Sequence, residues 1–279
     1  MHPDRLRVSA GPGALAVARY GHAERTVLLL HGFPLASSCW RDVAPVLVNA
    51  GWMVACPDLL GHGESDRPLD ASLAPGAQAR WVLAAMDALG VQRAALVGHD
   101  LGGLVASMIA AQAPARVSHL ALVSPLVGHA LPPSDVRVMQ RETGRLALRL
   151  AGHLLGAAEL IEPLLRARSH GPVSRRDLAA AVAPFVGREG VRQLLTLARA
   201  LEPGPEAEFD PQRIEAPVLV FAGEHEPLID TGAAGGERSA LTDAELERVP
   251  GAGALAPIEA PLWLGTALAA FLSRNATPP

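Results

Sequence analysis

The stretch from Gly98 to Gly103 constrains the fold of this chain more than any other. It reads Gly-His-Asp-Leu-Gly-Gly and joins an apolar run, residues 94–97, to an alanine-rich helical segment, residues 104–113. A strand that turns sharply into a helix strains the residue at the apex, and small neighbours let strand and helix approach. The apex residue is Asp100, which would point outward beside the positive N-terminus of the new helix. The stretch therefore predicts a turn that presents a carboxylate.

Apolar runs elsewhere in the chain predict the sheet to which this turn belongs. Short, wholly apolar runs are typical of strands buried on both faces of a parallel sheet. They alternate here with helical periodicity, which predicts a mostly parallel sheet with helices on both faces. Ser37 and Ser38 are candidate caps for the helix at 40–49. A Gly/Pro turn predicts a hairpin of residues 6–8 and 14–19; further strands are predicted at 26–30, 52–56, 94–97, 117–123, 217–223 and 245–249, and further helices at 76–89, 232–241 and 261–273.

The pattern changes in the middle of the chain, which predicts an inserted unit. Arginine- and alanine-rich helical stretches follow one another without a convincing strand, at 134–151, 157–168, 174–186 and 188–200. We expect an α/β core domain, residues 1–125 and 210–279, and an all-helical cap (lid), residues 126–209, over the functional edge of the sheet.

Composition excludes several classes of partner. The net charge is −4 and all 24 cationic residues are arginine, which is typical of a GC-rich bacterial genome and gives no basic surface for nucleic acid. The two cysteines are too few for a disulfide framework. No apolar run reaches the length of a membrane span, and the N-terminus does not resemble a signal peptide. We expect a cytoplasmic protein, monomer or homo-oligomer, with a small-molecule substrate and neither cofactor nor metal.

Five motifs, each after a predicted strand, resemble those of the α/β-hydrolase fold superfamily. The resemblance implies the α/β-hydrolase fold: a mostly parallel central sheet flanked by helices, with a helical lid insertion. Aspartate at the apex of the turn resembles the branch containing epoxide hydrolases and dehalogenases. The motifs are His31-Gly32-Phe33-Pro34, residues 58–68, residues 98–103, Gly223-Glu224-His225-Glu226-Pro227 and residues 250–261.

The resemblance implies a covalent mechanism for Asp100. A carboxylate is ionised at neutral pH, so it attacks carbon without a base and forms an ester, which a histidine-activated water then hydrolyses. The backbone N–H groups of Phe33 and Leu101 would form the oxyanion hole. The alternative is that Asp100 only caps the following helix.

The remaining site positions are also implied by the resemblance. Glu226 takes the place of the triad acid, with Glu224 as the weaker choice and a solvated loop carboxylate as the alternative. His31, Gly32 and His99 are expected to support their loops and not to act as bases. Two features of the related enzymes have no counterpart here. Epoxide hydrolases use a tyrosine in the lid, whereas the only tyrosine of this chain is Tyr20 in the hairpin. Dehalogenases place Trp or Arg after the nucleophile, whereas the residue after Asp100 is leucine.

The triad histidine is absent from the chain. The family pattern places it after Gly-Ala-Gly, where this sequence has Ala254, and no histidine follows His225. Two explanations are equally weighted: an engineered substitution that traps the ester, or a natural protein that has abandoned hydrolysis.

Three functions follow: an ester-forming enzyme of the hydrolase type acting on a small apolar molecule; a non-hydrolytic cyclase, isomerase or lyase using Asp100 as general acid or base; and a ligand-binding pseudoenzyme.

Overall fold

One twisted sheet organises the molecule, which we describe from a computed structural model at residues 1–126, 134–202, 208–226 and 244–274. Its eight strands lie in the order β1-β2-β4-β3-β5-β6-β7-β8. The pairs β1–β2 and β2–β4 are antiparallel, and the pairs from β4–β3 to β7–β8 are parallel. The predicted fold class is therefore confirmed. The strands are β1 (Asp4–Ser9), β2 (Ala14–Tyr20), β3 (Thr26–Leu30), β4 (Met53–Pro57), β5 (Ala94–His99), β6 (Val117–Val123), β7 (Val218–Gly223) and β8 (Glu245–Val249).

Helices of the described segments cover the sheet and fill the interval between β6 and β7. That interval contains α4 to α8 and, over its described residues, no strand. We keep the division into core and cap at residues 126–209 as a proposal. The helices are α1 (Ala44–Asn49), α2 (Pro75–Ala88), α3 (Leu101–Gln112), α4 (Ser134–Gln140), α5 (Glu142–Leu155), α6 (Ala158–Arg168), α7 (Arg175–Val182), α8 (Gly187–Ala200), α9 (Ala256–Glu259) and α10 (Pro261–Arg274).

The strands β3 and β5 form the centre of the core. Every residue of both strands is buried, as expected for apolar segments between two layers of helices. Helix α3 packs so closely against them that a Cβ on Gly102 would lie 2.3 Å from the carbonyl oxygen of Leu30. The glycines after Asp100 are therefore needed for the approach of helix and strand, as the sequence predicts.

Two helix predictions are wrong in detail. Ser37 and Ser38 do not cap a helix at 40–49, because Ser37–Trp40 is a 3₁₀ turn and α1 begins only at Ala44. The N–H of Ser37 instead donates to Asp58 Oδ1 at 2.7 Å, a contact between distant segments. The stretch 134–151 is divided between two helices, α4 and α5, which are separated by Arg141. The helix predicted at 232–241 lies outside the described residues.

Side chains of the core hold the helices between β6 and β7 in place. Arg41, after the 3₁₀ turn, forms an ion pair with Asp177 of α7. Arg67 donates to the carbonyl oxygen of Pro184 at 2.6 Å. These contacts seat the inserted helices above the carboxyl ends of β3 and β5, where parallel sheets place ligand sites. Along the described residues, no helix is long and apolar enough to cross a membrane.

Candidate active site

Asp100 occupies the apex of the turn between β5 and α3. Its backbone has φ 52° and ψ −119°, a region that a residue with a Cβ rarely adopts. Such a conformation costs about 1–3 kcal/mol and persists where the surroundings enforce it. Gly32 is part of those surroundings, since a Cβ at this position would come within 2.4 Å of Asp100 Cβ. The strain at Asp100 matches the prediction of a sharp turn that presents its side chain.

Two backbone N–H groups hold one oxygen of the Asp100 carboxylate. Oδ1 accepts hydrogen bonds from the N–H of Leu101 at 2.6 Å and from the N–H of Phe33 at 2.9 Å. Phe33 follows β3 and Leu101 begins α3, so neighbouring parallel strands bring the two donors to the same edge. The structure thus brings together the carboxylate and both N–H groups that the sequence singled out. With Oδ1 held, Oδ2 is the oxygen left to face a ligand.

Arg168, which sequence reasoning missed, contacts this second oxygen. Its Nη1 lies 3.3 Å from Asp100 Oδ2 and donates to the carbonyl oxygen of Phe33 at 2.8 Å. The side chains of Arg168 and Asp100 are only 7% and 10% exposed. Arg168 is the last residue of α6, so the inserted helices supply a cation to the carboxylate. No local signal distinguishes it from Arg166 in the same turn.

Ala254 lies directly against the end of α6. Its N–H donates to the carbonyl oxygen of Arg168 at 2.8 Å, and its own carbonyl oxygen accepts from His99 Nε2 at 2.8 Å. The Ala254 side chain is a buried methyl group. The backbone of Arg168 therefore lies beside the position at which the sequence predicts the histidine of a triad.

The carboxylate of Glu259 fixes this junction. Its Oε1 accepts from the N–H groups of His170 at 2.7 Å and Gly171 at 3.1 Å. Its Oε2 accepts from the N–H groups of Gly253 at 3.0 Å and Leu255 at 3.1 Å. One side chain thus joins the segment after α6 to the loop around Ala254. We call this set of four hydrogen bonds the Glu259 clamp.

The predicted supporting histidines are tied to backbone groups. His31 Nδ1 donates to the carbonyl oxygen of Gly32 at 2.9 Å, and its Nε2 accepts from the N–H of Leu59 at 2.9 Å. Burial lowers the pKa of both His31 and His99, so both are neutral near pH 7. Throughout the described segments, no histidine hydrogen-bonds to Asp100. Within the same segments no set of side chains is arranged as a metal site.

Glu226 is a buried carboxyl group that follows β7. Its Oε2 accepts from Ser124 Oγ at 2.8 Å and from the N–H of Gly223 at 3.2 Å. Burial raises the pKa of Glu226 from 4.5 to about 7; these two hydrogen bonds oppose the shift, and the charge of Asp100 adds to it. At 7% exposure it is not the solvated loop carboxylate weighed above, whereas the Glu224 side chain is 55% exposed. A raised pKa at a buried carboxyl is typical of functional sites.

Of three known proteins that resemble the chain, two do so over most of its length and one over less than half. It is 28% identical over 256 residues to a putative carbamate hydrolase RutD of Variovorax paradoxus, covering 90% of this chain and 93% of that protein. A haloalkane dehalogenase of Mesorhizobium japonicum is 34% identical over 121 residues, but only 43% of this chain and 38% of that protein align. The crystal structure of Cfl2 from Burkholderia cenocepacia has the same fold, with a TM-score of 0.84 at 24% identity over 98% of this chain and 96% of that one.

The family comparison agrees with the architecture. The two sequence relatives named above are hydrolases, which confirms the prediction of an enzyme of this type that resembles dehalogenases. The sequence model described as "alpha/beta hydrolase fold" matches residues 25–261, which include the turn and the helices inserted after β6. The chain therefore belongs to the alpha/beta hydrolase fold family.

Proposed function

We propose that this chain acts on a small, mainly apolar molecule through Asp100, whose carboxylate forms an ester with a carbon atom of the substrate. One observation carries the proposal: Asp100 Oδ1 accepts hydrogen bonds from both Phe33 and Leu101, at 2.9 and 2.6 Å. Two donors on one oxygen orient the carboxylate and leave Oδ2 to attack. The same oxygen fills the oxyanion hole, so a substrate oxyanion cannot bind there while Asp100 keeps this position.

The first step needs no base. Oδ2 supplies an electron pair to the substrate carbon, the new C–O bond forms, and the bond from that carbon to its leaving group breaks. Oδ1 becomes the carbonyl oxygen of the ester and keeps its two N–H donors. Those donors would stabilise charge on that oxygen if water later attacked the ester.

The second step, hydrolysis of the ester, lacks the general base that normally activates the water. Ala254 cannot accept a proton from water, and His99 donates through Nε2 to the carbonyl oxygen of Ala254. Loss of a general base typically slows such a step by about 10²–10⁴-fold. The ester on Asp100 is therefore long-lived. This holds whether Ala254 is engineered or natural, and Glu226 is left as a triad acid with no imidazole to orient.

Intact-mass measurement tests ester formation. The protein is incubated with matched alkyl halides and epoxides, the substrate types in the names of a dehalogenase and an epoxide hydrolase relative. We expect a mass increase equal to the transferred group, located at Asp100 by peptide mapping and absent from the Asp100→Asn variant. No adduct and no product across the panel would overturn the proposal. Ligand affinity without chemistry would instead identify a binding protein.

A second candidate function rests on Glu226. Its pKa of about 7 lets this buried carboxyl group exchange a proton near neutral pH, as a cyclase, isomerase or lyase requires. Asp100, which accepts three hydrogen bonds as a carboxylate, would then orient the substrate or take up a proton. Turnover without any adduct, lost in both Asp100→Asn and Glu226→Gln, supports this function, and full activity of either variant excludes it.

A further inference from the structure

We propose that Ser124 is a positioning residue of the site around Asp100, and that its hydroxyl group holds the carboxyl group of Glu226 in a fixed place relative to Asp100. The inference rests on the proposed function, because it adds a residue to the same site. It starts from the 2.8 Å hydrogen bond that Ser124 Oγ donates to Glu226 Oε2. Both residues are buried, with exposures of 5% and 7%.

Ser124 follows the strand that lies between those preceding Asp100 and Glu226. These strands, β5, β6 and β7, are adjacent and parallel, so their carboxyl ends meet at one edge of the sheet. The N–H of Asp100 donates to the carbonyl oxygen of Val123 at 3.1 Å, and the N–H of Leu126 donates to the carbonyl oxygen of Asp100 at 3.1 Å. Two hydrogen bonds therefore fasten the backbone on either side of Ser124 to the backbone of Asp100.

The backbone of Ser124 is strained, as is that of Asp100. Its φ is 44°, and along the described segments these two are the residues other than glycine that have a positive φ. A residue with a Cβ stays in that region only where its surroundings enforce it, and such residues cluster at functional sites. The N–H of Ser124 donates to the carbonyl oxygen of Phe221 at 2.8 Å, which ties the strained residue to β7. In this conformation the hydroxyl group reaches Glu226.

The hydrogen bond from Ser124 acts on the protonation of Glu226 as well as on its position. Burial raises the pKa of Glu226 to about 7, and the charge of Asp100 adds to that rise. The hydroxyl group of Ser124, the N–H of Gly223 and the charge of Arg248 oppose the rise, because each favours the ionised carboxylate. Ser124 thereby helps to keep the proton of Glu226 exchangeable near neutral pH, which general acid–base chemistry requires.

Titration of Glu226 by NMR tests the inference without any substrate. Glutamate is labelled with carbon-13 at the side-chain carboxyl group, and the Glu226 resonance is the one missing from Glu226→Gln. Because a hydrogen bond to a charged group is lost, we expect Ser124→Ala to raise the midpoint of this titration by about one pH unit. Ser107→Ala is the matched control. Ser107 is also buried, but its hydroxyl group donates to the carbonyl oxygen of Gly103 at 2.9 Å, so the midpoint should not move.

Ser124→Gly separates the hydrogen bond from the backbone strain. Glycine adopts a positive φ without strain and has no hydroxyl group, so this variant also serves if Ser124→Ala does not fold. The midpoint should rise as in Ser124→Ala. An unchanged midpoint in Ser124→Gly, or an equal rise in Ser107→Ala, would overturn the inference.

The rate of adduct formation with an alkyl halide supplies the functional measurement. Ionised Glu226 repels the charge of Asp100, and ester formation removes that charge, so the rate should rise as Glu226 ionises. The pH at half of this rise should move upward in Ser124→Ala together with the NMR midpoint, and a rate profile that does not move with it would overturn the role of Ser124 in the site. A shifted NMR midpoint without any adduct would contradict the proposed function alone. Adduct formation with an unchanged midpoint would contradict this inference alone.

Discussion

The N–H of Ala254 donates a 2.8 Å hydrogen bond to the carbonyl oxygen of Arg168. The loop around Ala254, where the sequence predicts the histidine of a triad, is thereby joined to the helix whose last residue contacts Asp100. Any substitution at Ala254 is therefore made next to the end of α6. The two residues therefore have to be considered together in any attempt to restore hydrolysis.

We predict that Ala254→His combined with Arg168→Ala hydrolyses the Asp100 ester about 10²–10⁴-fold faster than the parent chain. The histidine supplies a proton acceptor, and Arg168→Ala removes the guanidinium that lies 3.3 Å from Asp100 Oδ2. Adduct decay after removal of substrate, followed by intact mass, gives the rate. Ala254→Phe with Arg168→Ala is the matched control, since phenylalanine has similar bulk and accepts no proton. Equally fast decay in that control would refute a role for the imidazole.

Glu226 is predicted to make stability depend on pH. Because its pKa is 4.5 when unfolded and about 7 when folded, the folded state binds the extra proton between these values. The contribution of Glu226 to stability is therefore most favourable below about pH 4.5, falls as the pH rises towards 7, and is level above that. The shift corresponds to about 3 kcal/mol. Buried His31 and His99, whose pKa is lowered, act in the opposite direction in both proteins, so urea unfolding between pH 5 and pH 8 should show the loss as a fall in the stability of the parent relative to Glu226→Gln.

Glu224→Gln is the control for that experiment. Glu224 lies two residues away and its side chain is 55% exposed, so its substitution should leave the pH dependence of the parent unchanged. If Glu226→Gln retained the full pH dependence, burial of Glu226 could not be its source.

The geometry around Asp100 that the sequence predicted depends on backbone requirements. The glycines around Asp100 predict the strained turn because only glycine lets α3 approach β3, as the 2.3 Å position of a Cβ on Gly102 demonstrates. The donors of Phe33 and Leu101 follow, since the ends of adjacent parallel strands meet at one edge. Such features can be predicted from the sequence because they require particular residue types at neighbouring positions.

The parts that were missed depend on contacts between distant segments. Arg168 is 68 residues from Asp100 and reaches it only through the packing of α6 on the core. In a chain whose cations are all arginine, residue type carries no signal for this one. The late start of α1 is similar, since the N–H of Ser37 binds Asp58 rather than contributing to a helix cap. Contacts of this kind depend on how distant segments pack, which the local sequence pattern does not specify.

The Glu259 clamp gives a third prediction, which tests whether its hydrogen bonds, and not the charge of Glu259, stabilise the fold. Glu259→Gln places an amide N–H₂ against two backbone N–H groups, so two of the four hydrogen bonds are lost. We expect a decrease of about 1–3 kcal/mol in the free energy of unfolding. Glu162→Gln, which removes only an exposed pair with Arg166, should change it by less than about 0.5 kcal/mol. Similar losses in the two variants would mean that the clamp contributes nothing of its own.

Gly32 gives the last prediction, which concerns the orientation of the nucleophile. A methyl group there would lie 2.4 Å from Asp100 Cβ and 2.8 Å from Oδ1, so Gly32→Ala must push the carboxylate away from the N–H of Phe33. Misplacement of a reacting group by about 1 Å costs roughly 10²-fold in rate, and the overpacking costs about 1–3 kcal/mol of stability. Gly171→Ala is the control, because nothing lies within 4 Å of its added methyl group. Adduct formation by Gly32→Ala at the rate of Gly171→Ala would mean that the two-donor orientation of Oδ1 is dispensable for attack.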